Sequence, residues 1–119
     1  MTTQEFDQAV IEGTIILEGW ARLDRTGFYR EFSDCLSHEF NYAVPTHRAD
    51  TGRILDAVSQ RSLKERDCLL SALVVKKKDR RPSKGFFTLA EHSRFLPANY
   101  NADTLVLDEQ AKVYRSYSE

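Results

Sequence analysis

Apolar residues recur at helical spacing early in the chain: Phe6, Val10, Gly13, Leu17 and Trp20, with Ile16 widening the stripe. Ahead of them, Thr2-Thr3-Gln4-Glu5 spells a capping box in which Thr2 reaches the backbone of Glu5 and Glu5 reaches back. The pattern predicts a first helix packed on the core. Gly13 costs that helix about 1 kcal/mol against alanine, so its presence suggests a close helix crossing. Asp24-Arg25-Thr26-Gly27 reads as a turn and Phe28-Tyr29 as a very short strand. Tyr29, Phe32, Leu36 and Phe40 then share one face of a second helix, predicted to end near Phe40.

Between Asn41 and Ala49 the periodicity lapses around Pro45, which predicts a loop. Asp50 or Thr51 is placed to cap a third helix, with Ile54, Leu55, Val58 and either Ser62 or Leu63 on its inner side. Cys68 to Val75 is short, continuous and aliphatic, the mark of a buried strand. The polar run Lys76 to Lys84 is expected as a hairpin tip, and Gly85-Phe86-Phe87 as the returning strand. A short helix is predicted from a Thr88 cap through Arg94, stopped before Pro97, followed by a turn at 99–101. A last helix, capped by Asp103 or Thr104, should face inward with Leu107, Ala111, Tyr114 and Tyr117.

These patterns predict a single α+β domain over residues 1–119, with helices packed on a small antiparallel β-hairpin. A core of about 6–90 would carry a helical extension of about 91–119. The composition agrees with a globular chain: 119 residues, 41% hydrophobic, 29% charged, with five glycines and three prolines. The formal net charge of −1 supplies no global field toward nucleic acid or anionic lipid, so electrostatic function must come from local clusters. Residues 1–6 lack the basic flank and apolar run of a signal peptide, and no apolar stretch approaches the ~20 residues of a membrane span. Cytoplasmic localisation without membrane association is the expectation. Cys35 and Cys68 stand apart in apolar surroundings and read as buried free thiols.

The order of elements resembles a winged helix-turn-helix domain, in which three helices pack on a hairpin whose tip forms the wing. That resemblance implies a recognition helix over about 51–64 and a wing over 76–84. The stretch Leu70-Ser71-Ala72-Leu73-Val74-Val75 with Arg81-Pro82-Ser83-Lys84-Gly85-Phe86-Phe87 also resembles a segment of small uncharacterised bacterial proteins, which implies no activity.

Lys76, Lys77, Lys78, Arg80, Arg81 and Lys84 are opposed locally by Asp79 alone. Such a tip suits a phosphate backbone. It equally suits a surface turn kept soluble and guarded against edge-to-edge pairing. Arg53 and Arg61, about 80° apart on the third helix, would extend the surface. Phe28, Tyr29, Phe32, Phe40, Phe86 and Phe87 could stack bases if exposed, although most sit among core positions. Leu107, Tyr114 and Tyr117 are the candidate interface residues of the last helix.

His38, His47 and His92 match no metal-ligand spacing, and the cysteines form no CxxC pair, so no metal is expected. Nucleophile-elbow, phosphate-loop and dinucleotide motifs are absent, and neither an enzyme nor a cofactor is expected. The expected function is a small non-catalytic protein binding double-stranded DNA, as a dimeric bacterial or mobile-element regulator. The alternative is an interaction module that associates with a second copy or a protein partner through its C-terminal helix.

Overall fold

Thr2 and Glu5 close the capping box: the Glu5 N–H donates to Thr2 Oγ1 at 3.1 Å and the Thr2 N–H donates to Glu5 Oε1 at 2.7 Å. From this start α1 runs over Thr3–Arg22. The structure, a computed structural model, describes residues 1–41 and 43–118. β1 (Gly27–Phe28), α2 (Tyr29–Asp34), α3 (Pro45–Arg66), a 3₁₀ turn (Leu70–Leu73), β2 (Val74–Val75), α4 (Lys84–Ser93) and α5 (Ala102–Tyr117) follow in order. Among the described residues no helix is long and apolar enough to cross a membrane.

α1 packs against α3, α5 and the 3₁₀ turn. The crossing expected at Gly13 is present, since a Cβ there would lie 3.0 Å from Phe32 Cζ and 3.4 Å from Val58 Cγ2. The second helix, however, ends at Asp34 and not near Phe40. Glu12 on α1 takes both the Ser37 N–H and the Ser37 hydroxyl at 2.8 Å, drawing the chain away from a continuing helix.

The third helix starts earlier than the apolar pattern suggests. Pro45 occupies its first turn, where a missing N–H costs nothing. Thr51 therefore caps nothing; it is buried, and its hydroxyl donates to the His47 carbonyl at 3.0 Å. The segment expected as a loop over 41–49 is thus helical from Pro45, while Tyr42 within it lies outside the described residues.

The expected antiparallel hairpin is not formed, and the α+β, winged-helix-like architecture is overturned with it. The strands present are two residues each and parallel, with Gly27 opposite Val74 and Phe28 opposite Val75. With β2 paired to β1, Gly85-Phe86-Phe87 has no strand to return to and forms the first turns of α4. Phe86 and Ala90, four residues apart, pack that helix onto Leu69, Ala72, Leu105 and Val106.

Only the last two residues of the predicted 68–75 strand are extended in a ladder. Leu70–Leu73 instead make a fully buried 3₁₀ turn. Its backbone groups are satisfied from distant helices. Glu109 Oε2 accepts from the Leu69 N–H at 3.0 Å, Ser62 Oγ from the Leu70 N–H at 3.2 Å, and Ser59 Oγ from the Ser71 N–H at 2.8 Å. Gln110 Nε2 donates to the Ala72 carbonyl at 2.9 Å. Buried peptide groups require such partners.

α5 is capped by Asn101, whose Oδ1 accepts from the Thr104 N–H at 3.0 Å, and not by Asp103 or Thr104. Its inner face is Leu105, Val106, Glu109, Gln110, Val113 and Tyr117, which turns Leu107 outward.

Candidate functional site

Parallel strands leave a sheet at the same end, so the residues following Phe28 and those following Val75 emerge side by side. Tyr29 and Arg30 follow the first strand, Lys76 and Lys77 the second. Together with Phe28 and Val75 they line an open cleft of about 350 Å³. Its walls are the Phe28 ring, Tyr29 and the buried Val75, and its rim is cationic.

The 76–83 segment is a held turn. The Lys76 N–H donates to the Arg81 carbonyl and the Arg80 N–H to the Lys76 carbonyl, each at 2.9 Å. Arg80 adopts the left-handed conformation at φ 58°, which an L residue enters only at a cost the surrounding bonds must offset. Beyond the turn, Pro82 is fully buried and the Ser83 N–H donates to Tyr29 Oη at 2.7 Å. The segment is thereby fixed to the floor of the cleft.

The six cations of residues 76–84 have different fates. Lys76 pairs with Asp79 at 3.5 Å, and Arg81 Nε meets Asp103 Oδ1 at 2.8 Å. The Arg81 backbone N–H and the Lys76 ammonium hold the Asp79 carboxyl below its ordinary value, and the Arg81 guanidinium does the same for Asp103. Lys77 Nζ stands 5.4 Å and Arg80 Cζ 5.0 Å from the centre of the Phe28 ring. Among the described residues Arg30, Lys77, Lys78, Arg80 and Lys84 have no carboxylate within ion-pair distance. Glu31 is near, but the Phe28 N–H and Arg25 already engage it.

Arg53 and Arg61 each pair with a carboxylate of their own helix. Arg53 lies over the Phe6 ring, 5.4 Å from its centre, and pairs with Asp50 at 3.1 Å. A Cβ on Gly27 would run into the Trp20 indole, so Phe28 follows directly on a residue packed against Trp20. Phe6 and Trp20 are fourteen residues apart on α1, roughly 20 Å at 1.5 Å per residue. That exceeds the ~8 Å screening length of physiological salt. Arg61 pairs with Glu65 at 3.8 Å. Lys84 opens α4 beside the half-buried Asp56, whose Oδ1 would be 2.5 Å from a Cβ on Gly85. Arg53 is therefore separated from the turn by distance, Arg61 is engaged by Glu65, and the carboxylate of Asp56 adjoins Lys84.

The interface candidates of α5 also divide. Leu107 is exposed and Tyr114 half-buried, but Tyr117 is buried against its own chain, its ring flanked by Arg66 and Arg22. The two cysteines are free; Cys68 is fully buried as expected, whereas Cys35 is exposed. His38 contacts Glu5, His47 Nδ1 accepts from the Asn41 N–H, and His92 Nδ1 meets the Thr88 carbonyl. Among the described residues no group of three His, Cys, Asp or Glu side chains is placed to hold a metal ion.

Sequence reasoning missed Arg30, whose adjacent charged residue in the chain is the acidic Glu31 and not a second cation. The signal was the strand pairing, which decides what stands beside residue 30 and is not local. Comparison of the chain with family models, curated proteins and solved structures returns no match.

Proposed function

We propose that this is a non-catalytic nucleic-acid-binding protein that contacts its ligand through the 76–80 turn and Arg30. The observation that carries the reading is that Arg30 and Lys77 line the cleft, Arg80 lies over its Phe28 ring and Lys78 belongs to the same turn, four exposed cations without carboxylate partners among the described residues. A surface turn that merely needs solubility gains nothing from being held. Here Tyr29, Pro82 and the paired Lys76 and Arg81 fix the turn while the remaining cations face solvent. Preorganised cations lose less freedom when they meet phosphates, and phosphate contact supplies most non-specific affinity. Lys76 and Arg81 act in this reading as struts, and Arg53 and Arg61 take no part.

The test is fluorescence anisotropy of a labelled oligonucleotide at low salt, comparing the wild-type chain with Lys78→Ala and Arg30→Ala. Each substitution should weaken binding several-fold, and Arg53→Ala should leave it unchanged. Absence of binding by the wild-type chain would overturn the reading.

A further inference from the structure

We infer, resting on that nucleic-acid reading, that the Phe28–Val75 cleft receives one unpaired base, so that the ligand is single-stranded. The cleft's volume of about 350 Å³ lies at the lower end of pockets that hold small molecules, roughly 300–1,000 Å³. It joins an aromatic ring and an aliphatic wall to a cationic rim, which matches a flat apolar base bracketed by phosphates. Phosphate-backbone contact alone would need the rim and not the floor.

Competing terms favour the unpaired base. Seating a base on Phe28 displaces Lys77 or Arg80 from the ring, giving up an exposed cation–π contact. Stacking on an aromatic side chain returns more than that contact is worth, and the displaced cation is free to meet the adjoining phosphate. A duplex must first unpair and unstack the same base, at a cost that removes the gain. Single strands do not bear that cost.

The experiment compares three labelled 12-mers at one low salt concentration: a single strand, the same strand with central abasic sites, and the blunt duplex. The single strand should bind about tenfold more tightly than the other two. Phe28→Leu keeps apolar bulk but removes the ring, and should abolish the difference between the single strand and the abasic strand. Phe28→Tyr should restore discrimination, and thermal melting verifies that both variants fold. Equal binding of intact and abasic strands, or tighter binding of the duplex, overturns the base pocket while leaving the nucleic-acid reading intact. Failure of all three 12-mers to bind overturns both.

Discussion

The guanidinium of Arg94 and the carboxylate of Glu109 meet as a two-pronged pair, Nε to Oε1 at 3.1 Å and Nη2 to Oε2 at 3.0 Å. Glu109 is 3% exposed. Its Oε2 also accepts from the Leu69 N–H, and Arg94 reaches on to the Asp67 carbonyl and carboxylate at 2.8 and 2.7 Å. Asp67 is the left-handed residue that ends α3, so the pair ties α3, α4, α5 and the buried 3₁₀ turn at one point. Hydrogen bonds donated to the Glu109 carboxylate hold the Arg94 guanidinium protonated well above its ordinary range.

Removing Arg94 strands the buried Glu109 carboxylate, whereas removing Glu109 leaves Arg94 its Asp67 bonds and orphans the Leu69 N–H. Arg94→Ala should lose about 3–5 kcal/mol of stability in urea unfolding, the range for an orphaned buried charge, and Glu109→Ala about 1–3 kcal/mol, the range for an unsatisfied buried donor. Arg94→Met/Glu109→Gln should lose less than either, because a neutral acceptor for Leu69 remains and no charge is left alone. A double variant as unstable as the sum of the singles would contradict this.

Ser59 Oγ accepts from the Ser71 N–H and donates to Ser71 Oγ at 2.6 Å, all in the core. Ser59→Ala orphans a buried N–H and should cost about 1–3 kcal/mol. Loss of protection of the Ser71 amide in hydrogen exchange would report the same defect locally.

These two clusters show why part of the fold was hidden. The capping box at Thr2 and Glu5, the Gly13 crossing and the Ile54–Leu55–Val58 face are local patterns, and each was legible. Cys68–Val75 has the composition of a strand, but its backbone partners are Ser59, Ser62, Glu109 and Gln110, which no local window contains. Gly85-Phe86-Phe87 has strand propensity too, yet tertiary burial of Phe86 beside Ala90 decides for helix. The cationic turn was visible as composition. Arg30 and the Phe28 shelf required knowing that β1 and β2 run parallel.

Asp56 stands in a cleft with Gln60, Lys84, Gly85, Thr88 and His92, and burial pushes its carboxyl above the ordinary value of 3.8. A raised value in the folded chain means that stability falls as pH rises through it, since the ionised form is the disfavoured one. Asp56→Asn should therefore be more stable than wild type at pH 7. The difference should close as pH falls below 3.8, where both side chains are neutral. Melting temperatures from pH 3 to 7 check the sign. A less stable variant at pH 7 would show that the α4 dipole favours the carboxylate by more than burial opposes it.

The claim that Arg30, Lys77, Lys78 and Arg80 form one phosphate-binding group is tested most directly by the salt dependence of oligonucleotide affinity. If each neutralises one phosphate of a single strand, log K should fall against log salt with a slope of about −2.8, and Lys77→Ala/Arg80→Ala should halve it to about −1.4. An unchanged slope in the double variant would contradict the account.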